Sequence, residues 1–541
     1  MTKNSVLVRN GVIKATVIIA VFSVLAKILG LARDAVFSNQ FGTSVVIDAY
    51  FAAFRIPDFV FNLLILGTFS VAFIPVFSEY MVKDSKESNK LASSIINFTL
   101  ILILGLSLLA FVFIDPLVSL IAPGFTGEAR ELTEKFTRIF LLSPIFLTLS
   151  SIVSSILNSY KRFALVSIAP VLYNLSIIFG VLVLYPKYGT TGLGLSVVLG
   201  AVLHFAIQVP QLFKLGFKYY FKIDYRQPGF IQFWKLYWPR VFSMGTSQVT
   251  FLVATVFGSF LSTGALATFY YANNLQGVFL SIFAVSAALA VFPLMSDLYN
   301  TKDEEGFKDV LAKTSIQILF FILPLSAIML VMRAQIVRLV LGIGQGTSFT
   351  FEDTRIVSLT LGLFVISLFA QALIPLFSRA FYARQNTKIP VVIGLITIAV
   401  NAVITYFAVN KLGVPGMALA FSISSILNFL MLLVELHHKI KDLHDEYMMI
   451  SSLKIIIASL LSGAASFVAL YIIAPWVNMQ TYGGVMIQAT GAFLVGGSVY
   501  LAVGWLLDLP ESKNLIKLTR SMLSKFAKPI SNIWNMLDEI T

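Results

Sequence analysis

Apolar residues arrive along this chain in long blocks, and the polar residues mostly mark the joins between blocks. A membrane-spanning helix needs about 20 mostly apolar residues. Runs of that kind lie near 11–37, 45–76, 92–114, 137–158, 164–185, 190–213, 238–262, 265–295, 314–333, 356–377, 389–409, 414–436, 452–474 and 482–507. The pattern therefore predicts an all-α polytopic membrane protein with about fourteen transmembrane helices. Lys3 and Arg9 ahead of the first run give it the look of a signal peptide. The run is too long for one, and no small-x-small cleavage site follows, so it reads as a retained first span.

The joins alternate in charge. Lys83, Lys86 and Lys90 follow the second run, Lys161 and Arg162 the fourth, and a long basic stretch from Lys214 to Arg240 the sixth. Lys302, Lys308 and Lys313 follow the eighth, Arg379, Arg384 and Lys388 the tenth, and Lys439 and Lys441 the twelfth. The joins after the seventh and thirteenth runs hold no Lys or Arg. By the positive-inside rule both termini are cytoplasmic. The join between the third and fourth runs fits least well, with Arg130, Lys135 and Arg138 set among Glu128, Glu131 and Glu134. Two stretches read as lying on the membrane surface. Residues 216–240 interleave aromatic and basic residues as an interfacial belt does. After Pro510, Leu515, Leu518, Met522, Leu523 and Phe526 recur at helical spacing beside Lys513, Lys517, Arg520 and Lys525, the pattern of an amphipathic interfacial helix.

Composition agrees with the run pattern. Of 541 residues, 58% are hydrophobic and only 12% charged, against about 25% in soluble domains. The 48 phenylalanines and 33 glycines suit lipid-facing surfaces and close helix crossings. Cysteine is absent, which removes disulfides, thiolate metal sites and cysteine catalysis. The net charge of +13 fits basic cytoplasmic loops, and also an anionic substrate or lipid head groups. The cations are scattered among membrane loops, so nucleic acid is not a predicted partner. No GxxxxGK loop, zinc motif or nucleophile elbow occurs, which leaves no ATPase or hydrolase chemistry to assign. His437, His438 and His444 with Asp445 and Glu446 read as a solvated loop rather than a metal site, and intramembrane His204 as a packed interhelical hydrogen bond.

The chain also repeats itself. FAAFRIPDFVFNLLILGTFSVAFIPVFSEY from Phe51 aligns without a gap on FYYANNLQGVFLSIFAVSAALAVFPLMSDL from Phe269, bringing Pro75 onto Pro293, Ser78 onto Ser296 and Glu79 onto Asp297. YKRFALVSIAP from Tyr160 parallels YARQNTKIP from Tyr382, and YGTTGLGLS from Tyr188 parallels LGVPGMALA from Leu412. This predicts two homologous six-helix lobes, 1–215 and 238–447, joined by an interfacial linker over 216–237. A helix pair over 448–508 and a cytoplasmic tail over 509–541 follow. An even number of spans per lobe gives both the same orientation. Their pseudo-twofold axis then runs along the membrane normal, with a central cavity between lobes.

Lys27, Arg33, Asp34, Asp48, Arg55 and Asp58 all fall within the first two spans. Ionisable groups at membrane depth face a wet cavity or pair with one another. Both readings fit this set: a polar cavity, or ion pairs that fix helix packing. Asp58 lies three residues after Arg55, on the same helix face, and can pair with it. In the repeat, Arg55 of the first lobe falls on Asn273 of the second.

The segments KILGLARD (Lys27–Asp34), IDAYFAAFRIP (Ile47–Pro57), GTFSVAFIPVFSEY (Gly67–Tyr80), APGF (Ala122–Phe125), LNSYKRFA (Leu157–Ala164) and RAFYARQNTKIP (Arg379–Pro390) occur in a telling order and separation. Together they resemble, over nearly the whole chain, the MurJ/MviN family of lipid II flippases, part of a superfamily that includes polysaccharide flippases and multidrug exporters. The resemblance implies fourteen helices, two six-helix lobes and a final pair shaping a groove for a lipid tail. It implies a bacterial inner-membrane location and a lipid-linked diphosphate sugar as substrate, moved by alternating access with no cofactor. It further implies a monomer among membrane lipids, with cell-wall synthesis proteins as candidate partners. Carried over residue by residue, it makes Arg33, Lys27 and Arg55 the substrate-binding cations. Asp48, Asp34 and Asp58 become ion-pair or coupling groups, and Asn273 and Asn274 the second lobe's share of the cavity. Several family positions differ here: Phe61 and Asn62 replace an arginine pair, Leu66 a glutamate, and Asn273 and Asn274 an Asp–Arg pair. Ala254 stands where many members have an aspartate, linked to sodium in some, and Asn386 where a DTKTP segment has its aspartate. A polysaccharide repeat-unit flippase, a cation-coupled drug exporter and a transport-inactive scaffold for cell-wall synthesis stay open as alternatives.

Overall fold

The computed structural model describes residues 3–64, 69–244, 246–342, 347–515 and 517. The order of helices is α1 (Lys3–Phe41), α2 (Val45–Ala53), α3 (Arg55–Leu64), α4 (Phe69–Lys83), α5 (Ser85–Val112), α6 (Ile114–Ile121), α7 (Gly127–Phe140), α8 (Ser143–Ser159), α9 (Ala164–Phe179), α10 (Tyr185–Ala206), α11 (Val209–Lys214) and α12 (Pro228–Met244). It continues with α13 (Thr246–Ser259), α14 (Ala265–Phe279), α15 (Ser286–Asn300), α16 (Glu304–Val331), α17 (Arg333–Leu341), α18 (Phe351–Val365), α19 (Leu368–Ala383), α20 (Lys388–Leu412), α21 (Val414–Ile440), α22 (Asp445–Ile473) and α23 (Tyr482–Leu506).

Among the described residues nine helical segments are long and apolar enough to cross a membrane, or ten if the bent pair α18–α19 counts as one. The architecture is all-α and polytopic, as the pattern predicts, while the count by length falls short of fourteen for visible reasons. The expected spans 164–185 and 190–213 merge into one helical segment of 51 residues, Ala164–Lys214, far more than a single crossing needs. It turns at Gly189, whose φ of 58° lies in the left-handed region. The second span is cut instead of continuous. Pro57 has no N–H to offer the Ala53 carbonyl four residues back, and its ring crowds that carbonyl, so α2 stops at Ala53 and α3 starts at Arg55. The proline then sits in the first turn of α3, where a missing N–H costs nothing.

The described residues group into two compact units. One takes its described residues from 1–275, 340–360 and 391–424, the other from 276–339, 361–390 and 425–517. In the first unit, Phe69, Phe73 and Phe77 stack along α4 with ring centroids 5.4 and 5.1 Å apart, an i, i+4 ladder. Phe233 of α12 closes on Phe69 at 5.1 Å. The stretch expected to lie as a surface belt is therefore divided. Phe217, Phe230, Phe233, Trp234 and Tyr237 are buried in this core, whereas Phe221 and Tyr225 are exposed. Side chains of α5 hold its backbone, with Asn97 Nδ2 donating to the Tyr220 carbonyl at 3.0 Å and the Asp224 amide donating to Ser94 Oγ at 3.0 Å.

In the second unit α22 and α23 form a hairpin beside α16. Ser462 Oγ donates to the Gly496 carbonyl at 2.8 Å, and Tyr500 to the Phe320 carbonyl at 2.7 Å. Between α22 and α23 lies an apolar groove of about 420 Å³, lined by Val468, Ile472 and Val495 among others. The amphipathic segment expected after Pro510 falls, beyond Lys517, outside the described residues.

Candidate functional site

A polar cavity of about 480 Å³ opens within the first unit. The break between α2 and α3 puts Arg55 at the head of a new helix. Asp58 and Asn62 follow at i+3 and i+7, so one face of α3 turns all three into the cavity. Arg55 Nη2 lies 3.5 Å from Asp58 Oδ2. Asp58 is 39% exposed while Arg55 is only 12% exposed, so the pair is a weak one that water can loosen. The guanidinium also lies over the Tyr270 ring at 5.1 Å and the Phe251 ring at 5.8 Å. Asn273 lines the same cavity, with Tyr173 and Asn174 from α9 and His204 from α10.

Beneath this wall runs a hydrogen-bonded chain. His204 Nδ1 is 2.7 Å from Ser150 Oγ on α8, Gln208 Nε2 donates to Ser150 Oγ at 2.6 Å, and Ser154 Oγ donates to Gln208 Oε1 at 2.7 Å. His204 thus makes the interhelical hydrogen bond expected of it and also borders the cavity. Tyr173 and Asn174 escaped the reading of the sequence. With Pro170 they recur at i, i+3, i+4 inside an apolar run, a spacing that could have shown them as one polar stripe.

The other cluster residues are arranged differently. Arg33 donates to Asp34 Oδ1 through Nη2 at 2.8 Å and Nε at 3.1 Å. Asp34 is 2% exposed, and its other oxygen accepts from Asn274 Nδ2 at 2.8 Å. Asn274, expected as a cavity donor, lines the cavity as well and gives an amide hydrogen to Asp34. Lys27 is exposed on α1. Six residues of helix rotate it by about 120° from the Arg33 direction, so the two cations do not share a face. The residues lining the cavity include Arg55 but neither Arg33 nor Lys27.

Asp48 is buried and caps a helix. Its Oδ2 accepts from the Gly264 amide at 2.6 Å and its Oδ1 from the Ala267 amide at 2.8 Å, at the start of α14. A carboxylate here meets the exposed amides and the positive end of the helix dipole. The backbones meet closely at this end. A Cβ at Gly264, whose φ is +90°, would come within 2.4 Å of the Thr43 carbonyl oxygen. One at Gly42, with φ +58°, would come within 2.4 Å of the Ser348 carbonyl oxygen. Only glycine satisfies both the conformation and the approach. Tyr271 adds a bond from its hydroxyl to the Gly42 carbonyl at 3.2 Å. Asp48, Gly42, Gly264 and Tyr271 thus make a seam between segments far apart in sequence.

Arg55 and neighbouring amide and phenol groups can replace water around an anion, through bidentate charge-assisted bonds that a lysine could not reproduce. Among the described residues no group of three or more His, Asp or Glu side chains is placed to hold a metal ion.

Hydrophobic helices long enough to span a membrane, together with a charged cavity in the first unit, are the features of a polytopic membrane transporter. Its fold is shared with a multidrug resistance MATE family transporter of the MOP superfamily in an inward-facing conformation, at a TM-score of 0.65 and 15% identity over 78% of this chain and 96% of that one. The chain belongs to the lipid II flippase MurJ family, whose model matches residues 37–486. It is 28% identical over 499 residues to a probable lipid II flippase MurJ from Buchnera aphidicola subsp. Acyrthosiphon pisum, covering 91% of this chain and 96% of that protein. It is 27% identical over 446 residues to the lipid II flippase MurJ of Burkholderia cenocepacia, covering 79% and 84%. A solved lipid II flippase MurJ in an inward closed conformation superposes with a TM-score of 0.76 at 29% identity, over 92% of this chain and all of that one. The protein is a flippase, a transporter and not an enzyme.

Proposed function

We propose that this protein carries a lipid-linked cell-wall precursor, a polyprenyl-diphosphate sugar of the lipid II kind, from the cytoplasmic to the outer leaflet of the bacterial inner membrane by alternating access. The observation that carries this reading is the polar cavity headed by Arg55 inside a chain that matches the flippase family from 37 to 486. Two phosphates cannot cross hydrocarbon unaided, and Arg55 with the surrounding amides and phenols supplies donors in place of their water. Asp58 holds Arg55 when the cavity is empty. Lys27 and Arg33 take second place, and Arg33 reaches substrate only by leaving Asp34. In this reading the chain makes fourteen crossings, as two six-helix lobes that rock against one another and a final pair. The test is complementation together with flipping of a fluorescent lipid-linked sugar in proteoliposomes. Rescue of a strain depleted of its lipid II flippase is expected. A protein that inserts, folds and flips nothing would be a scaffold for cell-wall synthesis instead.

Orientation follows from the charge of the joins, with both termini cytoplasmic. Cysteine at Ser85, in the first turn of α5, or at Thr301, after α15, reacts only with membrane-permeant thiol reagents in intact cells. Cysteine at Ser262, in the turn before α14, reacts with impermeant ones. External labelling at Ser85 would invert the topology.

Coupling follows from carboxylates that are missing. A hard cation needs several oxygen ligands carrying negative charge. Ala254 and Asn386 cannot supply it, Asp48 accepts from two amides, and Asp34 is held by Arg33 and Asn274. Moving one elementary charge through 100 mV is worth about 2.3 kcal/mol, enough to reset an empty carrier. Transport therefore responds to an imposed potential and is unchanged when choline replaces sodium. A strict sodium requirement in the same proteoliposomes would overturn this.

A further inference from the structure

α3 has a second face. Opposite Arg55, Asp58 and Asn62, its Ile56, Phe59 and Val60 border another pocket in the same unit, of about 490 Å³. The remaining walls come from α5, α6 and α13, and every lining residue except one is apolar. The exception is Arg55, which lines this pocket and the polar cavity alike. Phe59, Leu109, Phe113 and Leu120 at its rim are each more than half exposed, so the pocket opens towards membrane hydrocarbon.

We infer that this pocket receives the head-proximal isoprene units of the substrate's prenyl chain while Arg55 holds the attached diphosphate at the boundary with the polar cavity. The inference rests on the proposed function and names a subsite for that same substrate. A prenyl diphosphate changes from doubly anionic to hydrocarbon across a single C–O bond. A carrier that seats both parts needs a polar and an apolar surface meeting at a cation, and Arg55 is where two such surfaces meet. The pocket falls within the ~300–1,000 Å³ typical of ligand sites, room for the first units of a long chain and not for its whole length. The groove between α22 and α23 is also apolar, but its lining includes no charged residue.

The pocket also has a side. Leu109 lies 19 residues beyond Lys90 on α5, about 28 Å along the axis at 1.5 Å per residue. With Lys90 at the cytoplasmic surface, the pocket opens into the outer leaflet. It is then the place where the chain first meets lipid on the way out.

The experiment compares Leu109→Trp, which fills the pocket from its exposed rim, with Leu104→Trp on a lipid-facing part of the same helix. Each is assayed in proteoliposomes with two fluorescent diphosphate sugars, one on an undecaprenyl chain and one on a geranyl chain. Leu109→Trp should slow both lipids about tenfold, because the geranyl chain carries the same head-proximal units, while Leu104→Trp changes neither. Slowing of the long-chain lipid alone, or of neither, by Leu109→Trp overturns the subsite. A benzophenone side chain at position 109 provides a readout independent of rate. It should capture the prenyl lipid about fivefold more than one at position 104, and Arg55→Ala should abolish the difference. Capture of bulk phospholipid in proportion to its abundance would make the pocket an ordinary lipid contact and overturn the subsite. A wild-type protein that flips neither lipid defeats the functional reading itself.

Discussion

Arg55→Ala should lower the flipping rate about a hundredfold while the protein still accumulates in the membrane. Removing one partner from a desolvated charged contact costs about 2–5 kcal/mol, and each 1.4 kcal/mol is tenfold, so a loss near 3 kcal/mol sets the scale. The folded state loses far less. Arg55 stands 3.5 Å from a partly exposed Asp58, the geometry of a pair worth about 0–1 kcal/mol, and its stacking on Tyr270 adds about as much again. Arg55→Lys should recover part of the rate, since a point charge attracts phosphate but lacks the planar fork and the flat stacking face. Flipping in proteoliposomes, normalised to reconstituted protein, checks the two rates, and the amount of variant in the membrane fraction checks accumulation. A wild-type rate in Arg55→Ala would remove this residue from phosphate handling and leave the cavity without its principal cation.

Arg33→Ala has a different expected result, because it strips the partner from a carboxylate. Asp34 is 2% exposed and would keep only the amide of Asn274. Breaking a buried pair by deleting one member destabilises by about 3–5 kcal/mol, as the remaining charge is left uncompensated. The single variant should therefore accumulate poorly and unfold early in detergent. Arg33→Ala with Asp34→Asn removes both charges and keeps a side chain that can still meet Asn274. Its unfolding midpoint should return most of the way to wild type, and transport with it. Tryptophan fluorescence on heating reads the first, the proteoliposome assay the second. A double variant that is stable yet silent would mean that Arg33 leaves Asp34 to handle substrate during the cycle.

Much of the fold was legible because membrane helices announce themselves by length and composition. The Arg55–Asp58 pair and the His204 bond could be read too, since both follow from helical spacing or from the cost of a lone polar group in hydrocarbon. The break after Ala53 was available in Pro57, but a continuous apolar run hid it. Asp48 was beyond reach for another reason. Its partners lie 216 and 219 residues away, and they are backbone amides, which carry no signature in sequence. Residues 216–240 misled through composition, because aromatics beside lysines suit a membrane interface and a packed core equally. Which of them turns inward depends on α4 and α5, distant in the chain. That Asp34 is held on both sides likewise depends on where Asn274 points, which its own stretch of sequence does not show.

The seam at Asp48 bears on how the transporter divides its time. Hydrogen bonds to a charged group contribute about 1.5–3 kcal/mol each, so the two amides at Gly264 and Ala267 together weigh about 3–6 kcal/mol. Converting a 1:99 population into 99:1 takes about 5.5 kcal/mol. Opening this seam during the cycle would therefore cost about as much as that whole population shift. A cargo that opened the seam would have to bind the open state more tightly than the closed one by the same amount, since only differential affinity moves such an equilibrium.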